Sequence, residues 1–229
     1  MISRRQLLKG VLAIGAASAG FGGYALAEPF RLSVTRYRVA PHGWPRGLTL
    51  RVAVLADLHA CRPWMPVERI RQIVARTNAI GPDAVLLPGD FVVSHRIGKI
   101  SGHVDHDDWA RELARLEAPL GRHAVLGNHD WWESLVVQRA RNRTARVAVA
   151  QALDRVGIPV YQNDAVRLTK DGQPFWIAGL GDQWAFWPRK ENYQRFVKGG
   201  KIGYEGVDDL PGTLAKITDD APVILMAHE

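Results

Sequence analysis

Cysteine is almost absent from this sequence, since Cys61 is the single cysteine among 229 residues. A lone cysteine cannot form an internal disulfide, so the fold must rest on a hydrophobic core. It also excludes the thiolate clusters that hold structural zinc. A strong excess of charge is missing too, because the net charge is only +7. This mild basicity gives no reason to expect a nucleic-acid partner.

The N-terminal segment has the features of an export signal. It begins with Arg4 and Arg5, continues through a weakly apolar stretch rich in Ala and Gly, and closes with the small residues Ala25-Leu26-Ala27. This pattern predicts a twin-arginine-type signal in residues 1–27, the twin-arginine translocation machinery as a partner, and export to the periplasm or the outer membrane face. The alternative is a retained membrane anchor, although the apolar run is short for a span.

Four short apolar runs end in polar residues of the same few types. Each run is rich in Val, Leu or Ile on both faces, which favours a strand covered on both sides, with buried helix as the alternative. Ligands of open α/β sheets bind beyond the carboxyl ends of the strands, so these polar residues are predicted to build one site. The runs and the residues that follow are 52–56 with Asp57 and His59, 84–87 with Gly89-Asp90, 123–126 with Gly127-Asn128-His129-Asp130, and 223–227 with His228. The first run is expected to end a buried strand at 48–56.

The rest of the pattern predicts an α/β fold in one domain over residues 48–229. Residues 28–47 are interpreted as an N-terminal edge strand at 31–39 and a turn-rich linker. A second, antiparallel-leaning sheet is predicted, with Asp171-Gly172 as a hairpin turn. Its strands are expected at 158–161, 165–169 and 175–180, and helices are expected after Pro66 and at 109–116, 147–156 and 209–217.

Three groups of residues each allow a functional and a structural interpretation. Histidines in a long loop either add metal ligands or substrate contacts, or belong to a solvated polar loop. A run of arginines either attracts anionic lipid or phosphate to the site, or forms a solvated helix face. Aromatic residues after a strand either wall a substrate cleft or cover the core. The three groups are His95, His103 and His106; Arg139, Arg141, Arg143 and Arg146; and Trp184, Phe186 and Trp187.

The polar residues at the strand ends are suited to binding metal. Asp57, His59, Asp90, Asn128 and His228 offer oxygen and imidazole donors, which suit Mn, Fe or Zn. Asp90 holds the middle position among them and is the candidate bridge between two ions. Two ions about 3.5–4 Å apart can share a hydroxide that attacks a phosphoryl group, so no serine or cysteine nucleophile is needed.

Two further residues of the same block are candidates for catalysis. His129 lies next to Asn128 and could protonate the leaving oxygen. Asp130 could orient that imidazole through a contact with it, without binding the metal itself.

The motifs Asp57-x-His59, Gly89-Asp90, Gly127-Asn128-His129-Asp130 and His228, in this order, resemble those of the calcineurin-like metallophosphoesterase superfamily. The resemblance runs from about residue 48 to the end, and the Gly-Asn-His-Asp block is its most specific part. With the twin-arginine start, the sequence is most similar to the exported bacterial branch. The resemblance implies a metallophosphoesterase-type β-sandwich flanked by helices, with a dinuclear centre on one edge.

The resemblance also implies a division of the ligands between two divalent ions. Asp57 and His59 would bind one ion, Asn128 and His228 the other, and Asp90 would bridge them. His129 would be the catalytic acid.

One departure from the family pattern concerns the C-terminal end. The family continues from the His228 strand into a Gly-His-x-His segment, whereas this sequence ends at Glu229. The expectation is therefore a fragment or a truncated product, in which both ions lack a ligand.

Two hypotheses of different classes follow. The first is a metal-dependent hydrolase of a phosphodiester, phosphomonoester or pyrophosphate, with a lipid-linked or cell-envelope substrate. A pyrophosphatase acting on nucleotide-linked diacylglucosamine is a narrower version, which the export signal disfavours. The second is a catalytically weak or dead module that binds metal or phospholipid.

Overall fold

A computed structural model describes residues 31–94, 100–188 and 203–229. The predicted export signal and His95 therefore lie outside the described residues. The chain divides into two compact units, residues 1–39 and residues 40–229, and every element below belongs to the second. Among the described residues, none of the helices has both the length and the apolar character that a membrane span requires.

Within these ranges the second unit forms six strands and six helices. The strands are β1 (Val52–Val54), β2 (Ala84–Pro88), β3 (Arg122–Val125), β4 (Asp164–Lys170), β5 (Gln173–Gly179) and β6 (Val223–Met226). The helices are α1 (Val67–Asn78), α2 (His106–Leu113), α3 (Asn128–Trp132), α4 (Leu135–Ala140), α5 (Ala148–Arg155) and α6 (Leu210–Leu214).

The strands form two three-stranded sheets. The first has the order β1-β2-β3 with both pairs parallel. The second has the order β4-β5-β6, in which β4 and β5 are antiparallel and β5 and β6 parallel. Asp171 and Gly172 join β4 to β5 with positive φ angles of 51° and 76°, which is the conformation that a tight two-residue hairpin turn requires.

Strand β2 is covered on both faces because alternate side chains enter two different cores. Val85 and Leu87 pack against α1, α2 and α5 in the larger core, whereas Leu86 enters a smaller one. The smaller core joins the two sheets, since Val125 of β3 and Ile177 of β5 also belong to it. Helices, first sheet and second sheet therefore form successive layers, and the carboxyl ends of β2 and β3 lie at the edge where the site forms.

Helix α1 shows how the sequence specifies a layer. Its buried residues follow the spacing i, i+3, i+4, i+7 and so form one face: they are Ile70, Ile73, Val74 and Thr77. Glu68 lies in the first turn and Arg76 in the last, where each charge is favoured by the helix dipole. The helix ends shortly before Gly81, whose φ of 64° takes the chain out of the helical region.

The α/β fold class is confirmed, and so are two sheets with a hairpin turn at Asp171-Gly172. The prediction for the first strand was wrong in length and burial. Strand β1 covers only Val52–Val54, and the side chain of Val54 is 59% exposed. In the first sheet β1 pairs only with β2. It is therefore an edge strand, with a neighbouring strand on one edge only.

Other predicted elements also differ from the structure. Residues 31–39 form no strand, and exposed side chains such as Tyr37 at 85% leave no buried face to pair. The predicted strand at 158–161 is reduced to one bridge between Ala124 and Val160. Strand β6, which precedes His228, belongs to the second sheet and is largely exposed, so it is not a central strand covered on both sides.

Candidate metal centre

Two glycines bring the ends of β2 and β3 together around Asp90. Gly89 has a φ of +91°, and a Cβ there would lie 2.8 Å from the Cα of Gly127. A Cβ on Gly127 would overlap Asp90 Oδ1 and lie 2.7 Å from Cε1 of His228. Only glycine at these two positions lets the two backbones and the carboxylate approach so closely.

Asp130 connects these two strand ends from underneath. The residue is fully buried, and its carboxylate accepts four backbone N–H groups. Oδ2 accepts from Gly127 at 2.9 Å and Asp90 at 3.0 Å, and Oδ1 accepts from Phe91 at 2.9 Å and Val92 at 3.3 Å. Burial and the negative charge of Asp90 raise the pKa of Asp130 to about 7, although the backbone N–H groups oppose the shift.

The carboxylate of Asp90 lies between two imidazoles. Oδ2 is 3.4 Å from Nε2 of His59, and Oδ1 is 3.4 Å from Nε2 of His228. The other ring nitrogen of each histidine faces a backbone carbonyl: Nδ1 of His59 is 3.1 Å from Val92 O, and Nδ1 of His228 is 2.7 Å from Pro88 O. Both rings therefore donate from Nδ1 and direct Nε2 toward the carboxylate, as metal-binding histidines do.

The buried charges of Asp90 and His228 stabilise each other. Burial alone would raise the pKa of Asp90, but its hydrogen bond with His228 and the nearby positive charge hold that pKa below its usual value. Burial opposes the charge on His228, yet the hydrogen bond to Asp90 raises the pKa of His228 to about 10. At neutral pH the metal-free ring carries a proton, which a cation at Nε2 would replace.

Three of the predicted ligands have strained backbone conformations. Asp57, His59 and Asp90 have φ angles of 54°, 45° and 56°, in the left-handed region that residues other than glycine seldom occupy. The two loops that carry them stay in register, because Asp57 N donates to Gly89 O and His59 N donates to Asp90 O. Strain of this kind persists at functional sites when the surrounding structure enforces it.

His129 is oriented by Ser94. Nδ1 of its ring accepts from the backbone N–H of Ser94 at 3.1 Å, and Ser94 Oγ lies 3.0 Å from the same nitrogen. The proton of the neutral ring is therefore on Nε2, which makes that atom a donor. The ring centroid is 4.8 Å from that of His59, and the backbone N–H donates to Asp90 Oδ1 at 2.9 Å.

The structure brings the predicted residues together with one change of role. Asp57, Asp90 and His228 form one group in which possible ligand atoms lie within 4.8 Å of one another, and His59, Asp90 and His129 form another. Asn128 follows Gly127 directly as the first residue of α3. The expected contact of Asp130 with the His129 ring is replaced by the Ser94 contact, because Asp130 uses both oxygens on backbone N–H groups.

The loop histidines and the arginines have structural contacts. His106 pairs with Glu133 at 3.0 Å on the half-buried side of α2, and His103 lies against it with ring centroids 5.7 Å apart. Arg141 pairs with Glu205 at 2.9 Å and donates to Trp187 O at 2.6 Å. Arg143 and Arg146 also bind within the chain, to Gly206 O and to Asp154. These contacts are structural, but they differ from the structural interpretations of the sequence. His106 is in α2 and only 18% exposed, so it is not part of a solvated loop, and Arg141, Arg143 and Arg146 lie between α4 and α5 and form no helix face.

The aromatic residues divide between the two interpretations. Phe186 is 1% exposed and belongs to the core. Trp184 is 40% exposed and stacks on Tyr204, which in turn stacks on Trp132, with centroid distances of 4.8 and 5.7 Å. We call these three residues the aromatic stack. It adjoins the site, because the centroid of Trp132 is 5.3 Å from that of His129.

Sequence reasoning missed two residues of the site, Ser94 and Asp182. Asp182 is 2% exposed and forms a third group of possible ligand atoms with His228 and Glu229. A signal for it exists, because Gly181-Asp182 follows the apolar strand β5 just as Gly89-Asp90 follows β2. Ser94 has no comparable signal, since it lies inside a loop and is recognised only by its contact with His129.

The donor set fits divalent cations. Asp90 directs one oxygen to each of two histidines that are held by their Nδ1 atoms, and the site contains carboxylate, amide and imidazole donors without thiolate. This combination is typical of Mn, Fe or catalytic Zn. The expected division, with Asp57 and His59 on one cation and Asn128 and His228 on the other, stays a prediction, because the structure groups Asp57 with Asp90 and His228.

The chain is similar in sequence to known metallophosphoesterases. The chain is 26% identical over 236 residues to the uncharacterised metallophosphoesterase YkuE of Bacillus subtilis, covering 100% of the chain and 70% of that protein. An uncharacterised metallophosphoesterase of Aquifex aeolicus is 26% identical over 91% of the chain, which spans 66% of that protein. The UDP-2,3-diacylglucosamine pyrophosphatase LpxG of Chlamydia trachomatis is 30% identical over 105 residues, or 45% of the chain and 30% of LpxG.

Residues 50–229 match the calcineurin-like phosphoesterase family. This range contains all the motif residues whose geometry is described above, from Asp57 to His228. The chain belongs to the calcineurin-like phosphoesterase family.

Proposed function

We propose that this chain hydrolyses phosphate esters with two divalent cations held at the candidate metal centre. The observation that carries the proposal is the position of Asp90, whose two oxygens each face one imidazole Nε2 at 3.4 Å. A carboxylate in that position can bridge two cations. Family membership over residues 50–229 supports the same reaction class.

The residues of the site divide the work of such a reaction. Bound cations would supply Lewis-acid chemistry and lower the pKa of a coordinated water. His129 presents an N–H at Nε2, because Ser94 occupies its Nδ1, and it would donate that proton to the leaving oxygen. Asp130 keeps Asp90 and its neighbours in place through their backbone N–H groups.

The aromatic stack supports a substrate with an organic group beside its phosphate. Trp132 adjoins His129, so a leaving group that takes the proton of His129 would lie near the stack. Aromatic faces bind planar or apolar groups. The name of LpxG describes a pyrophosphatase with a lipid-bearing substrate. We propose a lipid-linked or cell-envelope phosphodiester, phosphomonoester or pyrophosphate as the substrate class.

We also propose that the chain acts outside the cytoplasm, as a periplasmic or membrane-associated protein. This rests on the arginine pair, the apolar stretch and the Ala25-Leu26-Ala27 exit in the sequence. The translocation machinery for twin-arginine signals would then be a partner.

The test is hydrolysis of bis-p-nitrophenyl phosphate and p-nitrophenyl phosphate by the chain, with and without added Mn²⁺. Turnover is expected only with the metal, and Asp90→Asn should lower it by at least about 100-fold, because both cations lose a shared ligand. Asp164→Asn is the matched control, since Asp164 is an exposed carboxylate of β4 far along the chain from the motifs.

Inorganic pyrophosphate in the same assay tests the role of an organic group, and slower turnover is expected for it. Metal binding without turnover of any ester would support the rival hypothesis of a catalytically dead module that binds metal or phospholipid. Turnover that survives Asp90→Asn would contradict the proposed mechanism.

A further inference from the structure

We infer that Asp182 is a further cation-binding residue, which with Glu229 extends the metal centre on the side of His228. The inference rests on the metal centre of the proposed function. It assigns to that centre a carboxylate that the strand-end motifs do not include. The chemical class of the ligand is a divalent cation of the Mn²⁺ type, which prefers oxygen and imidazole donors.

Asp182 is deeply buried, yet one of its oxygens has no hydrogen-bond partner. The residue is 2% exposed, and Oδ2 is closed off from solvent without a donor in reach. A buried carboxylate oxygen without a hydrogen-bond donor is strongly unfavourable unless a positively charged group lies beside it or the carboxylate is protonated.

That carboxylate is directed at His228 and Glu229. The three residues offer ligand atoms that all lie within 4.8 Å of one another. Nδ1 of His228 is occupied by Pro88 O at 2.7 Å, so Nε2 is the nitrogen available to a cation. Nε2 also faces Asp90 Oδ1 at 3.4 Å, and the Asp182 group therefore adjoins the centre already described.

Two carboxylates next to each other need a positive charge or a shared proton between them. When both are ionised neither oxygen can donate, so the pair repels. A divalent cation would remove this repulsion and satisfy Oδ2.

The structural duties of Asp182 do not use Oδ2. Oδ1 accepts the backbone N–H of Trp184 at 2.8 Å, and the backbone carbonyl of Asp182 accepts the N–H of Val207 at 2.7 Å. These two bonds account for the local turn. An asparagine could keep both of them, which makes Asp182→Asn a clean test.

The experiment is a Mn²⁺ titration of the chelator-treated chain, followed by calorimetry and by the electron paramagnetic resonance signal of free Mn²⁺. Asp182→Asn should weaken Mn²⁺ binding by about 10- to 100-fold. Thermal unfolding of the metal-free variant should occur at a temperature equal to or above that of the wild type, because asparagine keeps both hydrogen bonds that Asp182 makes in the turn. Asp208→Asn is the control and should leave binding unchanged, because Asp208 is exposed and follows Val207, whose N–H donates to the carbonyl of Asp182.

Each result decides between the inference and its rivals. Equal Mn²⁺ binding by wild type and Asp182→Asn would overturn the inference while leaving the proposed function intact, provided that Asp90→Asn still abolishes binding. A metal-free Asp182→Asn that unfolds at a lower temperature and binds Mn²⁺ normally would assign Asp182 a purely structural role. Absence of Mn²⁺ binding by the wild type would overturn both proposals.

Discussion

The metal centre has two sides that differ in how they are held. On the inner side, Asp90 has a side-chain exposure of 4% and Asp130 is fully buried among backbone N–H groups. On the outer side, the side chains of His59 and Asp57 are 34% and 59% exposed. The inner side is part of the core, so its residues serve stability and chemistry together. The outer side contributes donors to the centre and little to the fold.

The largest expected effect is on the inner side, from Asp130→Ala. Removing the carboxylate leaves the buried N–H groups of Gly127, Asp90 and Phe91 without acceptors. We expect the free energy of unfolding to fall by about 3 kcal/mol or more, measured by urea denaturation of the metal-free chain.

Asp164→Asn serves as the control for this measurement, because Asp164 is exposed, and its effect should stay within about 0.5 kcal/mol. If Asp130→Ala kept wild-type stability, the distinction between an inner and an outer side would be wrong.

A smaller and different effect is expected on the outer side, from Asp57→Asn. Asparagine tolerates the φ of 54° at this position at least as well as aspartate, and the side chain is mostly exposed. The free energy of unfolding should therefore change by less than about 0.5 kcal/mol. Affinity for Mn²⁺, measured by calorimetry, should fall by at least about 10-fold because a neutral amide replaces an anionic ligand. A clear decrease in the free energy of unfolding of this variant would show that Asp57 belongs to the inner side.

The smallest effect concerns the ion pair between His106 and Glu133, which joins α2 to the end of α3. Its hydrogen bond to Glu133 raises the pKa of His106, burial opposes this, and the charges of Glu133, Asp105 and Asp130 assist it. A raised pKa means that the pair stabilises the fold fully below the unfolded pKa of about 6.5. That contribution is lost as the pH rises through the folded pKa.

The free energy of unfolding, measured from pH 5.5 to pH 9, should show this loss as about 1 kcal/mol or less. The same series on Glu133→Gln is the comparison, and its curve should lack the step. An identical pH profile for both proteins would remove the ion pair as a source of stability.

The sequence predicted the inner side of the centre better than it predicted the other strands around the centre. The run Ala84–Leu87 followed by Gly-Asp identified β2 and Asp90, because a strand covered on both faces leaves a continuous apolar signal. The same signal misled at residues 48–56 and at β6, where similar runs form a three-residue strand and a largely exposed one. Composition cannot tell which strands receive neighbours on both sides, since that depends on the order of strands in the sheets.

Residue roles were harder to predict than residue positions. Asp130 was expected to orient His129 because the two are adjacent, but its helical position directs it to the backbone N–H groups beneath Asp90. Ser94 takes that role from a loop 35 residues away along the chain. Contacts made across such a separation depend on tertiary structure and leave no local pattern.

The backbone hydrogen bonds of Asp130 also bear on the order of assembly. They fix the spacing of the β2 and β3 ends through the protein's own backbone N–H groups. Folding would thus complete the frame before loading, and an arriving ion would meet donors whose conformational entropy has already been lost. An ion that binds Nε2 of His228 would release the proton that this ring carries at neutral pH.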